Sequence, residues 1–159
     1  DDLLHHAPTW DDVAWLRAQT RRPILLKGVL HPDDARQALS LGVDGLIVSN
    51  HGGRQLDGAP SSIEALPAIV DAVGSQIEIH MDGGIRSGQD VLKARALGAR
   101  GTYIGRAMLY GLGAMGQEGV AKAIDIIHKE LDITMAFCGH TQIDRVNRDI
   151  LLPGTYPTA

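Results

Sequence analysis

Residues 43–57, VDGLIVSNHGGRQLD, pass directly from an aliphatic run into a polar, glycine-rich loop carrying an imidazole and a guanidinium three residues apart. A short run of this kind reads as a strand buried in a parallel sheet, with the polar cluster at its carboxyl end. The pattern recurs three times. Residues 23–27 run into Lys27-Gly28, residues 77–81 into DGGIR at 82–86, and residues 101–104 into Gly105-Arg106. Helical stretches follow each strand. Their starts are marked by Pro32 with Asp33 and Asp34, by Ser61-Ser62 before Glu64, by Ser87 before Asp90, and by Arg106 onward. Gly42, Gly74 and Gly98 stand where helices should stop. Four βα units are therefore predicted, which makes the chain α/β with a parallel sheet.

Further from this centre, residues 9–19 read as a helix capped by Thr9 with Asp12 three residues on, its Trp10 and Trp15 taken as packing residues. A long helix is expected over 117–137, a shorter one over 141–147, and a tail over 148–159. Four βα units are half of a TIM (β/α)8 barrel, and a complete barrel takes about 250 residues. The whole chain, 1–159, is thus expected to be one half-barrel; the alternative is an open four-stranded sheet with both edges exposed.

Composition narrows the function classes. With 159 residues and 44% hydrophobic content the chain can bury a substantial core. A net charge of -4 with scattered Lys and Arg disfavours nucleic acid as a partner. Cys138 is the lone cysteine, which fits a reducing compartment, and His5, His6, His31, His128 and His140 show no spacing that suggests metal. No apolar run approaches the roughly 20 residues of a membrane helix, and the acidic Asp1-Asp2 start is no signal peptide, so a soluble chain is expected.

If the four clusters share the mouth of a barrel, they form one site. Gly83 and Gly84 let backbone N–H groups approach an anion, the helix beginning near Ser87 points its positive end there, and Arg86 and Arg106 add charge-assisted bonds. A tight turn with surface arginines is the plainer reading of either cluster alone. His51 suits proton transfer near neutral pH and Arg54 a planar grip on a carboxylate, which together suggest acid–base work on a carboxylate substrate; a structural histidine is the alternative. Asp57 either orients this loop or caps a turn. Lys27, ending an apolar strand, calls for a bound anion or electron-rich ring, or else extends out of the barrel end.

The series Lys27-Gly28, SNHGGRQLD at 49–57, DGGIRSG at 82–88 and Gly105-Arg106 resembles the C-terminal half of the FMN-dependent L-2-hydroxy acid dehydrogenase and oxidase family. Within it the chain is most similar to bacterial L-lactate dehydrogenases, with mandelate dehydrogenases and lactate oxidases or monooxygenases as neighbours. The resemblance implies FMN as cofactor and oxidation of a small L-2-hydroxy acid, L-lactate foremost, to the 2-oxo acid. It makes His51 the base and places the substrate carboxylate on Arg54. Lys27 and Ser49 would contact the flavin ring and Asp82 the ribityl chain. Gly83, Gly84, Ile85, Arg86, Gly105 and Arg106 would hold the phosphate. The proton comes either from the α-carbon, leaving a carbanion, or from the hydroxyl as hydride departs. Oxygen, quinone and cytochrome acceptors all occur in the family.

The resemblance further implies an N-terminal half as partner, carrying tyrosines, a second substrate arginine and an aspartate paired with the histidine. It also implies a homo-oligomer, a tetramer in the intact protein, and a cytoplasmic setting or docking at the cytoplasmic face of the inner membrane through that other half. His80 departs from the family's apolar preference and is read as packing. Two other functions stay open: a flavin-free phosphate-binding barrel enzyme such as an isomerase or synthase, and a non-catalytic half-barrel that self-associates through its sheet edges.

Overall fold

The computed structural model describes residues 7–157; His5 and His6, the acidic start and the last two residues of the expected tail lie outside them. The capping signals produce the helices they announce. In α1 (Trp10–Gln19), α3 (Ser62–Val73) and α4 (Gly88–Ala96) the reciprocal pairs Thr9–Asp12, Ser61–Glu64 and Ser87–Asp90 all form capping boxes. His31 caps α2 (Pro32–Ser40) through its ring nitrogen, which accepts from the Asp33 N–H at 3.2 Å. Gly42 and Gly98, just beyond α2 and α4, take left-handed φ values of 77° and 106° that end each helix.

Strands β1 (Leu25–Val29), β2 (Gly45–Val48), β3 (Glu78–Met81) and β4 (Gly101–Thr102) form one parallel sheet in the order β1-β2-β3-β4. Consecutive parallel neighbours with a helix in each crossover are the arrangement of successive barrel units. The strands are not buried on both faces as their apolar runs suggest. Leu46, Val48, Ile79 and Met81 lie fully buried beneath the helices, whereas Leu25, Lys27, Glu78 and Tyr103 on the other face are exposed. Side chains alternate along a strand, so one face carries the core and the other is open among the described residues.

Lys27 does not end its strand. β1 continues to Val29 through a bulge at Gly28, whose φ of +103° is available to glycine at little cost. The start of β1 is tied to α1 by Asp44, which accepts from the Ile24 N–H at 2.8 Å and from Arg17 at 2.8 Å. The Ile24 N–H foremost, then Arg17, holds this carboxyl below its ordinary range. Its contribution to stability is therefore present above the unfolded carboxyl pKa and is lost as pH falls through the lower folded value. Otherwise α1 is held loosely: only Val13 packs on the core, and Trp15, expected to pack, is 64% exposed.

The helix α5 (Arg106–Phe137) is broken at Met115 and Gly116, so its second arm begins where the long helix from 117 was expected. The arms fold close enough for the backbones of Gly111 and Gly119 to touch. Residues 141–147 do not form the expected short helix. They contain a three-residue 3-10 turn, Ile143–Arg145, and a second turn, Arg148–Ile150, follows. Val146 is extended between them and buried against Leu92 and Ala96, while Asn147 accepts from the Asp149 N–H at 2.8 Å; these contacts outcompete a continuous helix. Leu151 and Tyr156, in the expected tail, pack against the main core. No helix among the described residues is long and apolar enough to cross a membrane.

Where α4 crosses α5, a Cβ at Gly88 would overlap the backbone of Leu131, and the Gly88 N–H donates to Glu130 at 3.0 Å. In an open helix Gly→Ala stabilises by roughly 1 kcal/mol. Gly88→Ala is expected to do the reverse, lowering stability by about 1–3 kcal/mol through overpacking, as read from the midpoint of chemical denaturation.

Candidate functional site

The carboxyl ends of β1 to β4 open onto one cleft of about 410 Å³. Lys27, His51, Arg54, Asp82, Gly83, Gly84, Ile85, Arg86, Gly105 and Arg106 all line it. Ser49, the remaining residue singled out from the sequence, is fully buried beneath the cleft and organises its floor. Its hydroxyl accepts from the His51 N–H at 3.1 Å and lies 2.9 Å from the Lys27 ammonium. Lys27 is also 3.0 Å from one oxygen of Asp82, so this strand lysine has a protein partner.

The other Asp82 oxygen, Oδ1, is buried and has no hydrogen-bond partner. A buried carboxylate oxygen without a donor is costly, which makes it a place for a hydroxyl-bearing ligand.

The loop after β2 is held by Asn50. Its side chain accepts from the Gly52 N–H at 3.0 Å and donates to the Pro60 carbonyl at 3.3 Å, and its own N–H donates to Ser62 at 3.1 Å. The turn forces His51 to a φ of 56°, a left-handed conformation rare for such a residue and consistent with a position fixed for function. Asp57 lies in an exposed turn further along the loop. The imidazole rests over Gly28, where an added Cβ would come within 2.7 Å of its Cε1. Gly28→Ala, which also places an L side chain at φ +103° at a cost of roughly 1–2 kcal/mol, is expected to push the ring aside. A displaced His51 Cε1–H resonance in the NMR spectrum would report it.

The anion cradle differs from the sequence expectation in one respect. The N-terminus of α4 is already satisfied: Asp90 accepts from the Arg86 and Ser87 N–H groups at 3.0 and 2.9 Å, and Glu130 from that of Gly88. An anion gains little from a helix end occupied by carboxylates. The free end belongs to α5, whose cap is Gly105, with no side chain to bond the first N–H groups, and whose first turn has no acidic residue. Its first N–H groups lack partners within the helix, and Gly105, Arg106 and Ala107 line the cleft. Among the described residues the N–H groups of Gly83, Gly84 and Ile85 also lack acceptors, and nothing lies within 4 Å of an added Gly84 Cβ. The Arg86 N–H is taken by Asp90, which leaves its guanidinium as the group it can offer the cleft.

Sequence reasoning missed Gln55, Tyr103 and Leu109 in the cleft wall. For Tyr103 a signal existed: it is two residues beyond Gly101, hence on the same face as His80 and Asp82. Among the described residues no three His, Cys, Asp or Glu side chains come together to hold a metal. His80 packs on Tyr103 and Glu78 instead.

These features fit a flavin mononucleotide. The orphaned Asp82 oxygen suits its polyol chain, and the open backbone cradle with two arginines suits its phosphate. Comparison with known proteins points the same way. The family model described as FMN-dependent dehydrogenase matches residues 1–153. The chain is 52% identical to a pre-mycofactocin synthase of Mycolicibacterium smegmatis over 96% of its own length and 38% of the relative's. It is 50% identical to an L-lactate dehydrogenase of Caulobacter sp. over 89% of its length and 37% of the relative's. A mandelate oxidase variant solved with an FMN adduct superposes with a TM-score of 0.85 at 46% identity, covering 89% of this chain and 45% of that one. The chain thus spans about two fifths of the length of the relatives it matches.

Proposed function

The chain belongs to the FMN-dependent dehydrogenase family, and from that premise we propose that the complete protein oxidises an L-2-hydroxy acid, L-lactate foremost, to the 2-oxo acid. Residues 1–159 supply the C-terminal half-barrel of its catalytic domain, with 148–159 as its closing tail, and the rest of the protein closes the barrel. The observation that carries this reading is that His51 and Arg54 share one cleft with the open Asp82 oxygen and the backbone anion cradle.

In this reading Arg54 binds the substrate carboxylate through its planar fork. His51 takes the proton that leaves during oxidation, its ring kept in place by the tight turn and by Gly28. FMN, when bound, accepts the two electrons. Lys27, held by Ser49 and Asp82, would supply the positive charge that offsets the negative charge of a reduced flavin. Asp82 accepts from the polyol chain through Oδ1. The N–H groups of residues 83–85, the start of α5 and the guanidinium groups of Arg86 and Arg106 bind the phosphate. Oligomerisation, and any docking at the cytoplasmic face of a membrane, are part of the same proposal and rest on the remainder of the protein.

Mixing the complete protein anaerobically with L-lactate and a graded series of longer and aromatic L-2-hydroxy acids tests this directly. The yellow flavin absorbance should bleach with at least one of them. A flavin that stays oxidised with every member rules the substrate class out, and a protein that binds no flavin rules out the cofactor assignment.

A further inference from the structure

We infer that Tyr103 is a further cofactor-binding residue of this cleft, its hydroxyl bonding the polyol chain of the flavin, and that His80 is the positioning residue that sets its ring. The inference rests on reading the cleft as an FMN site and adds a contact that the family motifs do not contain.

Sheet register carries the first step. Val48 pairs with Met81 and Met81 with Thr102, so Ser49, Asp82 and Tyr103 stand side by side one residue further along. The Tyr103 N–H donates to the Met81 carbonyl at 2.9 Å and that of Asp82 to the Val48 carbonyl at 3.1 Å, which fixes the level of the row. Neighbouring strands are about 4.8 Å apart, so the row presents oxygen-bearing side chains at that spacing across three strands. Ser49 is engaged by Lys27 and the His51 N–H, and one Asp82 oxygen by Lys27. The remaining Asp82 oxygen is buried without a donor, and its neighbour Tyr103 lines the cleft and is 45% exposed. A chain bearing several hydroxyls matches this pair: one hydroxyl can donate to Asp82 while another bonds the phenol. Beyond Tyr103 the chain leads through Ile104 to Gly105 and Arg106, toward the anion cradle.

The second step concerns what holds the phenol ring. His80 lies one level below on the same face, its ring centroid 5.8 Å from that of Tyr103 with the planes tilted by 45°, within the contact range of aromatic pairs. The imidazole cannot swing away easily. Its Nε2 is 3.3 Å from the Glu78 carboxylate, and its Nδ1 side lies against Gly101, where a Cβ would come within 2.9 Å. Glycine at 101 makes room for the imidazole, and the imidazole makes a platform for Tyr103.

The test uses the complete protein, stripped of flavin and retitrated, with binding followed by flavin fluorescence. Two probes are compared: FMN, and lumiflavin, which has the ring system but neither polyol nor phosphate. Tyr103→Phe is expected to weaken FMN about 3- to 10-fold, the range for loss of one hydrogen bond, and to leave lumiflavin unchanged. His80→Leu should weaken FMN similarly, and His80→Phe, which keeps a flat platform, should restore most of the loss. Equal weakening of both flavins by Tyr103→Phe overturns the polyol assignment, as does a change in FMN affinity of less than twofold. Loss in neither His80 variant, or equal loss in both, overturns the positioning role. A parent protein that binds no FMN would sink the cofactor reading itself, an outcome distinct from all of these.

Discussion

His51→Asn in the complete protein is expected to slow flavin reduction by the substrate about 10²- to 10⁴-fold, the contribution of a positioned general base, while FMN affinity stays within about twofold of the parent. Asparagine is the informative replacement because His51 sits at φ 56° and asparagine tolerates the left-handed region better than most residues. The turn can then persist, with Asn50 still accepting from Gly52 and Ser49 from residue 51, while the titratable ring is gone. His51→Val would confound loss of the base with strain in the loop. Stopped-flow absorbance of the flavin separates rate from affinity. A slowing below about tenfold would move the base elsewhere.

Arg54→Lys should act on the other parameter. A charge-assisted bond to a carboxylate contributes roughly 1.5–3 kcal/mol, or about 10- to 150-fold in affinity. Lysine keeps the charge but loses the fork, so KM should rise about tenfold or more. Arg54→Met should approach the upper figure, and added guanidinium should partly restore its activity. Neither variant should alter flavin binding, since Arg54 lies on the β2 loop and the proposed anion cradle on residues 83–86 and the start of α5. If both variants instead lose flavin with KM unchanged, Arg54 belongs to the phosphate cradle.

The sequence disclosed most about features with short-range causes. Capping boxes at Thr9, Ser61 and Ser87 and helix stops at Gly42 and Gly98 are local hydrogen-bond and φ requirements, and each forms as its residues suggest. The convergence of Lys27, His51, Asp82 and Arg106 was legible because barrel topology places carboxyl ends together. Features decided by partners distant in sequence were less visible. That Lys27 lies within β1 depends on a bulge at Gly28, made beneath the His51 ring. The N–H groups at the start of α4 are taken by Asp90 and by Glu130, the latter 42 residues away, which no local pattern announces. The expected helix over 141–147 lost to the burial of Val146 and the Asn147 turn. Strand runs that looked uniformly apolar hid one covered face and one open face. Residues such as Tyr103 drew attention only once register placed them beside Asp82.

Several features of the cleft depend on one another. Lys27, Ser49 and Asp82 form a connected polar group, so removing any one leaves the others with fewer partners. Substitutions there are expected to change stability and flavin binding together. His51 and Arg54 lie on a loop held mainly by Asn50 and Ser62 but joined to the floor by the bond from the His51 N–H to Ser49, so effects at Arg54 should separate from those of the floor more cleanly than effects at His51.

Whether these four strand ends cradle FMN beside a catalytic base and a carboxylate-binding arginine can be read from a crystal structure of the complete protein with FMN and a 2-oxo acid. Phosphate oxygens are expected within hydrogen-bond distance of the N–H groups of residues 83–85, the first turn of α5 and Arg106. A ribityl hydroxyl is expected on Asp82 Oδ1, and the oxo acid's carboxylate on Arg54 with His51 beside its α-carbon. A phosphate bound elsewhere, or an Asp82 Oδ1 still without a donor, would contradict this arrangement.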